Sequence, residues 1–277
     1  MIRPGRPLAA LWSALCLAGC ATIYNPATGR SETVIGTPIE IALGNAAKAQ
    51  MGLVSLKMGR VSDEQFERVR RIGERLAAVS DRKDLPIHYG AIRDKTLNAF
   101  ALPGGTIYVN TGILEKASDD ELAAVLAHET GHVAARHAAK HLQADLGFTL
   151  LMQIASAGGK SVPLVQSLYG LFRNGYSRRD ELEADRLGIR YASRAGFDPQ
   201  GMVTFFRKML DEEPEDSMDR AAVWNRTHPL TSERIQQAQE EVARLRNDRF
   251  CPACGAAYGP DEKFCLRDGT LLKEKAK

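Results

Sequence analysis

The stretch Ser118-Asp-Asp-Glu-Leu-Ala-Ala-Val-Leu-Ala-His-Glu-Thr-Gly-His132 combines a helix start with a cluster of chemically reactive side chains. Its opening Ser-Asp-Asp-Glu is a capping box, which predicts a helix that runs from here to about Leu146. On that helix His128 and His132 lie one turn apart, about 40° apart around the axis, so both imidazoles can reach one cation. Glu129 is placed to hold a water beside a metal and not to bind the metal itself. The pattern predicts a catalytic metal centre; the alternative is two surface histidines on an ordinary helix.

A second histidine pair follows on the same predicted helix. His137 and His141 lie about 180° and 220° around the axis from His128, on the opposite face of a continuous helix. They are therefore not expected to bind the same ion, and we interpret them as solvated or packed histidines.

The third metal ligand is expected from the segment Tyr176-Ser-Arg-Arg-Asp-Glu-Leu-Glu-Ala-Asp185. A catalytic zinc uses three protein ligands and leaves one position open. Glu181 and Asp185 share a helical face, whereas Glu183 points about 200° away from Glu181. If Glu181 binds the metal, Asp185 can accept a hydrogen bond from a ligating imidazole. The alternative is a solvated acidic helix start with its own arginine partners.

The chain resembles the HtpX/Ste-type zinc metallopeptidases, and among them the BepA/LoiP-like periplasmic lipoproteins. Besides the two segments above, Asn98-Ala-Phe-Ala-Leu-Pro-Gly-Gly105 and Thr227-His-Pro-Leu-Thr-Ser-Glu-Arg-Ile235 match blocks of that family, in the family's order. The resemblance covers about residues 25–246. It implies an α+β, mostly helical, gluzincin-type peptidase domain with a small antiparallel sheet, at residues 38–248. It also implies an edge strand near Thr106–Asn110 that pairs with the substrate backbone, a mode of binding that depends little on the side-chain sequence of the substrate.

The same resemblance assigns roles to individual residues. It implies His128, His132 and Glu181 as ligands of a catalytic Zn²⁺ and Glu129 as the general base. His228 is a further candidate catalytic residue, because the histidine of this His-Pro block can approach the zinc as a latch or as a transition-state donor. The alternative for His228 is an ordinary histidine that precedes Pro229 at a helix start.

The first residues are typical of an exported lipoprotein. Residues 1–19 have a basic start and a short apolar run, which predict a signal peptide. Leu17-Ala-Gly-Cys20 resembles a bacterial lipobox and predicts lipidation of Cys20, followed by a tether over residues 20–37. Ala21, the residue after the cysteine, favours localisation of the anchored protein at the outer membrane, on the side that faces the periplasm. The alternative is an ordinary signal peptide with an incidental cysteine.

Composition excludes several classes of protein. The 277 residues are 44% hydrophobic, which excludes disorder of the whole chain, and their formal net charge of +3 is too small to suggest a nucleic-acid binder. Cleavage after residue 19 would leave 258 residues with a formal charge of +1. Residues 147–172 are apolar, but Gly158, Gly159, Lys160 and Pro163 interrupt them. They therefore predict a helical hairpin or lid and not a transmembrane pair.

Residues 249–272 predict a separate, zinc-ribbon-like module. Cys251 and Cys254 form one pair, and Cys265 and Asp268 form a second pair with the same spacing. This arrangement is typical of a second, structural zinc site, with a carboxylate where a fourth cysteine is usual. The alternative is a Cys251–Cys254 disulfide in an oxidising periplasm, which leaves Cys265 free.

Two functions follow from these observations. The first is a membrane-anchored zinc endopeptidase that hydrolyses misfolded or unassembled envelope polypeptides. The second is a chaperone-like assembly factor of the outer membrane. In this function His228 closes the open position on the zinc as a latch, and binding of polypeptides matters more than their cleavage. The complete catalytic set favours the first function.

Overall fold

The computed structural model describes residues 20–53, 55–156, 162–211, 227–247, 249–254, 257–258, 262–265 and 267–274. The predicted signal peptide at residues 1–19 and the side chain of Cys20 lie outside this description. Within it the fold is α+β and mostly helical, as predicted. The helices are α1 (Thr37–Gln50), α2 (Asp63–Val79), α3 (Thr111–Lys116), α4 (Asp119–Ala135), α5 (His137–Ser156), α6 (Val162–Asn174), α7 (Arg178–Arg194), α8 (Gly201–Asp211) and α9 (Ser232–Asn247).

Residues 20–37 do not form the predicted tether. They begin with an antiparallel β-hairpin of β1 (Cys20–Asn25) and β2 (Arg30–Ile35). The hairpin is docked on the domain, because the buried Asn25 side chain donates to the carbonyl of Ala134 at 2.9 Å. The composition suggested a linker, but its Asn, Pro and Gly residues form a turn and its β-branched residues form strands.

The central sheet is mixed and not antiparallel, which corrects the sequence prediction. Its strands are β3 (Lys57–Met58), β4 (His88–Ile92), β5 (Ala99–Ala101) and β6 (Thr106–Asn110). They lie in the order β3-β4-β6-β5. β4 runs parallel to both β3 and β6, and only β5 runs antiparallel to its neighbour β6.

β6 is an inner strand, so the predicted edge strand at Thr106–Asn110 is wrong. The Pro103-Gly104-Gly105 turn reverses the chain, with φ of +79° and +84° at the two glycines. The reversal places β5 on the outside of β6, while β4 occupies the other side. All five residues of β6 are buried. β5, the strand that precedes the turn, is therefore the edge strand on this side of the sheet, and β3 is the edge strand on the other side.

Helix α4 is the buried axis of the domain. The predicted capping box is present, since the Ser118 hydroxyl accepts from the amide of Glu121 and the Glu121 carboxylate accepts from the amide of Ser118. Every residue from Glu121 to Ala135 is buried. The helix ends at Ala135 and not near Leu146, because Arg136 adopts a left-handed conformation with φ +62°. The chain therefore changes direction immediately after the two histidines of the motif.

The apolar segment after this break forms the predicted helical hairpin. α5 and α6 pack against each other through leucines such as Leu151, Leu164 and Leu168. In the described part of the chain, no helix combines the length and the apolar character needed to cross a membrane.

The C-terminal module is a small three-stranded sheet of two-residue strands, β7 (Arg249–Phe250), β8 (Ala257–Tyr258) and β9 (Lys273–Glu274). The strand order is β8-β7-β9. The module lies against the peptidase helices α7 and α9 through β8.

Candidate active site

Two helices approach closely enough at the site for their backbones to touch. A Cβ atom built on Gly188 of α7 would lie 2.8 Å from the amide nitrogen of His128 on α4. A Cβ atom on Gly131 of α4 would lie 2.8 Å from the carbonyl oxygen of Ala184 on α7. Glycines at both contacts therefore let the two helices lie close together. The sequence signal for this contact is a glycine inside each helix, which costs about 1 kcal/mol relative to alanine unless packing requires it.

This contact brings four side chains together in one buried group, called here the histidine cluster: His128, His132, Glu181 and His228. His128 Nε2 lies 3.0 Å from His132 Nε2 and 3.2 Å from His228 Nδ1. Glu181 Oε1 lies 3.4 Å from His132 Nε2 and 3.1 Å from His228 Nδ1. Glu181 Oε2 lies 3.6 Å from His128 Nε2. All four side chains are at most 2% exposed.

The geometry of the histidine cluster fits a tetrahedral zinc ion. Zinc–ligand bonds of about 2.0–2.1 Å place neighbouring ligand atoms about 3.3–3.4 Å apart in a tetrahedron. The measured separations of 3.0 to 3.6 Å lie around that value. Three imidazoles and a carboxylate are also donors that zinc accepts.

The ionisation of the cluster suits the same ion. Burial lowers the pKa of His132 well below the usual histidine value, which keeps the ring neutral and its lone pair available. Burial alone would raise the pKa of Glu181, but the charges of His228 and Arg234 outweigh it and hold that pKa well below its usual range. The cluster therefore presents a neutral imidazole and an ionised carboxylate to a cation.

Asp185 lies where the sequence predicted it. Its Oδ1 is 2.8 Å from His128 Nδ1, so the carboxylate orients the ring and leaves Nε2 facing the cluster. Burial would raise the pKa of Asp185, but Arg234 outweighs it and lowers that pKa.

Arg234, which sequence reasoning did not select, holds both carboxylates of α7. Its Nε and Nη2 atoms each donate to Asp185 at 2.7 Å, and its Nη1 atom lies 2.7 Å from Glu181 Oε2. Nη1 also donates to the carbonyl of Pro229 at 3.0 Å. The same side chain thus ties the His228-Pro229 segment to the helix that supplies Glu181. Its position in the Thr227–Ile235 block was the available sequence signal.

His137 contacts the site, which corrects the prediction that it lies on the opposite face. The break at Arg136 turns the chain, so that His137 Nδ1 lies 2.9 Å from His132 Nδ1. The other ring nitrogen of His137 lies 3.3 Å from a carboxylate oxygen of Glu183. This chain of contacts orients the ring of His132, as Asp185 does for His128. His141 lies farther along α5 and pairs with Asp145.

Glu129 is fully buried beside the cluster and does not belong to it. Its Oε1 atom lies 3.3 Å from His228 Nε2, and its helix packs against the edge strand β5. Neither carboxylate oxygen has a hydrogen-bond partner among the described residues. Burial raises the pKa of Glu129 above the usual glutamate value. A carboxylate with a raised pKa next to a metal site is suited to proton transfer.

Tyr176 was also not selected from the sequence. Its ring stacks on His132, with 4.0 Å between the ring centroids. Burial, reinforced by the charges of Glu129 and Glu181, raises the pKa of its hydroxyl well above the usual tyrosine value. Among the described residues that hydroxyl has no hydrogen-bond partner.

The four residues predicted for a second zinc also lie together. Ligand atoms of Cys251, Cys254, Cys265 and Asp268, called here the C-terminal cluster, all lie within 4.8 Å of one another. The three thiols are free in the structure.

Comparison with known proteins places this geometry in a family. Residues 63–242 match the model of peptidase family M48. The mitochondrial metalloendopeptidase OMA1 of Schizosaccharomyces pombe is 38% identical over 192 residues, which cover 67% of this chain and 56% of that protein. The beta-barrel assembly-enhancing protease of Escherichia coli is 31% identical, over 64% of this chain and 39% of its own length. The metalloprotease LoiP of Escherichia coli is 34% identical, over 57% of this chain and 64% of its own.

The matched region contains all four members of the histidine cluster, and the chain spans less than two thirds of the length of each of these relatives. The resemblance predicted from the sequence blocks is thereby confirmed. With the two histidines of the His-Glu-Thr-Gly-His motif on α4 and Glu181 on the packed helix α7, the chain belongs to peptidase family M48.

Proposed function

We infer that the protein is a zinc-dependent endopeptidase, with His128, His132 and Glu181 as the zinc ligands. The observation that carries this proposal is the position of Glu129, fully buried beside His228 of the histidine cluster on the helix that packs against the edge strand β5. A metal-storage or sensor site would not need a carboxylate at that place. When bound, zinc supplies a Lewis acid that polarises a carbonyl and makes water more acidic.

The residues of the chain supply the proton transfers. The Glu129 carboxylate takes a proton from the attacking water and returns it to the leaving amine. Burial alone would lower the pKa of His228, but the carboxylates of Glu181 and Glu129 outweigh it and raise that pKa. A protonated His228 can donate a hydrogen bond to the oxygen on which negative charge develops.

The substrate is an extended polypeptide. β5 has β6 on one side only among the described strands, and it packs against α4, the helix that carries Glu129. A peptide that pairs with this edge has its backbone held beside the general base, and such pairing reads little side-chain sequence. Only unfolded or unassembled chains present a long extended backbone. This supports a role in the quality control of envelope proteins, as does the likeness to a beta-barrel assembly-enhancing protease.

The lipobox-like Leu17–Cys20 supports anchoring of the protein to a membrane, facing the periplasm. We expect Cys20→Ser to move the protein from the membrane to the soluble fraction of the cell envelope. Cys16→Ser is the matched control, because Cys16 lies within the predicted signal peptide, and it should leave the protein membrane-bound.

The catalytic proposal is tested with Glu129→Gln. This variant keeps the shape of the side chain but cannot accept the proton, so it should retain zinc and lose cleavage of casein or another unfolded protein. Glu64→Gln is the control, because Glu64 is an exposed glutamate in the first turn of α2 and is not a member of the histidine cluster. Cleavage by a clean preparation of Glu129→Gln at the wild-type rate would contradict the mechanism.

A second function, chaperone-like assistance of outer-membrane assembly, is favoured by the position of His228. This side chain fits the fourth position of a tetrahedral site, where it would latch the zinc. His228→Ala should then raise proteolysis, and Glu129→Gln should still rescue an assembly defect. If rescue requires Glu129 and His228→Ala lowers cleavage, the endopeptidase function stands and the latch does not.

A further inference from the structure

The C-terminal cluster lies outside the peptidase chemistry. Cys251 and Cys265 are buried, whereas Cys254 and Asp268 lie at the surface. Each pair of ligands comes from one turn of the chain, which places the four donors around one point.

The separations in the cluster fit a tetrahedral zinc ion. With Zn–S bonds of about 2.3 Å, neighbouring sulfurs in a tetrahedron lie about 3.8 Å apart, and a sulfur and a carboxylate oxygen lie about 3.5 Å apart. Cys254 Sγ and Cys265 Sγ are 3.6 Å apart. Cys251 Sγ lies 3.8 Å and 3.9 Å from the two oxygens of Asp268.

Neighbouring groups already orient these ligands. The amide of Cys254 donates to Cys251 Sγ, and the hydroxyl of Tyr258 lies 2.9 Å from Cys265 Sγ. The amide of Thr270 donates to Asp268 Oδ1 at 2.9 Å. Such contacts from outside the ligand set fix the direction of metal ligands.

The module has too small a core to fold by apolar burial. Its buried cluster consists of Cys251, Tyr258, Cys265 and Leu272, so two of the four core residues are themselves candidate ligands. Segments below about 40 residues generally need a metal, a disulfide or a partner to fold. With the three thiols free, a metal is the remaining cross-link that these side chains can form.

The module is docked at the far end of the helix that supplies Glu181. Arg194, at the C-terminal end of α7, forms an ion pair with Glu262 of the module. Arg194 lies thirteen positions after Glu181 on this helix, which is about 20 Å along the axis. An ion in the C-terminal cluster would therefore act on the fold of the module and not on the peptide bond.

We propose that the C-terminal cluster binds a structural zinc ion, which folds the module and holds it against α7 and α9. Three thiolates and one carboxylate make a closed four-ligand site with no open position for substrate. The proposal is independent of the peptidase function.

The test measures zinc per chain on the full protein, purified with zinc and desalted. Cys254→Ser removes an exposed ligand without opening a cavity, and it should lower the content by one equivalent relative to wild type. Glu181→Ala, which acts on the histidine cluster, should lose the other equivalent. Two substitutions at position 268 should have opposite effects on zinc affinity. Asp268→Cys completes a four-cysteine site and should bind zinc more tightly than wild type does. Asp268→Ala removes a ligand and should bind zinc more weakly.

Limited trypsin digestion measures the folding of the module independently of its zinc content. Lys263 and Arg267 are exposed cleavage sites within it. Cleavage there should be about tenfold faster or more in Cys254→Ser than in Glu181→Ala, which keeps the C-terminal ion. Equal zinc content in wild type and Cys254→Ser would overturn the proposal. An intact mass lower by two hydrogens, with these thiols oxidised, would overturn it in favour of a disulfide.

Discussion

Replacing Gly188 by alanine tests whether close contact of α4 and α7 creates the zinc site. The new Cβ atom would lie 2.8 Å from the amide nitrogen of His128 and 3.0 Å from its Cα atom. Ordinary contacts between such atoms begin at 3.4 Å, so the helices must separate by about 0.6 Å. Both contacting atoms belong to helix backbone, and no flexible side chain can move aside.

The separation changes the geometry of the ligands. His128 is carried by α4 and Glu181 by α7, so a shift of about 0.6 Å exceeds the tolerance of about 0.2 Å for metal–ligand distances. We expect zinc affinity to fall on the order of 10- to 100-fold, the size of effect seen when a supporting partner of a ligand is lost. Overpacking should also lower the free energy of unfolding by about 1–3 kcal/mol.

The assay is competition for zinc against a fluorescent chelator, in a Cys254→Ser background so that the histidine cluster alone titrates. Circular dichroism monitors thermal unfolding of the same samples. Gly170→Ala in α6 is the matched control, because nothing lies within 4 Å of its Cβ position. It should leave zinc affinity unchanged and stabilise the helix by up to about 1 kcal/mol. A folded Gly188→Ala protein with wild-type zinc affinity would refute the reasoning.

Three further predictions concern the surroundings of the site. His137→Ala should weaken zinc binding about 10-fold or more, because His132 loses the partner that orients its ring, and the same competition titration checks this. Arg234→Met should destabilise the apo protein by about 3 kcal/mol or more in urea unfolding, because two buried carboxylates lose their counter-charge; an unchanged midpoint would contradict it. Glu121→Gln should lower the free energy of unfolding by about 0.5–1 kcal/mol at pH 7, because it breaks the ion pair with the partly exposed Lys208. Burial would raise the pKa of Glu121, but Lys208 outweighs it and lowers that pKa. The wild-type advantage should therefore be complete above the unfolded pKa of about 4.3 and decline as the pH falls through the lower folded value. An advantage of undiminished size at about pH 2 in urea unfolding would exclude this cause.

Local signals in the sequence predicted local structure well. The capping box at Ser118 starts α4, and the Pro103-Gly104-Gly105 turn reverses the chain. Helical spacing identified Glu181 and Asp185 as neighbours on one face, and both lie beside His128. Each of these features depends on residues a few positions apart, whose geometry the backbone itself dictates.

Features that depend on distant contacts were mispredicted. The helix break at Arg136 is stabilised by Glu40, whose Oε2 lies 2.8 Å from its guanidinium, about a hundred positions away in the chain. Without that contact the pattern favours a longer helix, and His137 is then assigned to the wrong face. The antiparallel sheet and the edge position of Thr106–Asn110 were mispredicted for the same reason, because the turn determines that β5 and β6 pair but not on which side of β6 the strand β4 lies.

The sequence by itself determined the chemistry of the site, since two histidines one turn apart with a glutamate between them predict a metal and a base from helix geometry alone. Only the tertiary structure decided how that site is completed. Glycine contacts bring α7 against α4, Arg234 holds both carboxylates, and the chain returns to place His228 beside His128. The physical reason is that burial removes these charged groups from water, so each is stable only where a partner from another part of the chain compensates it.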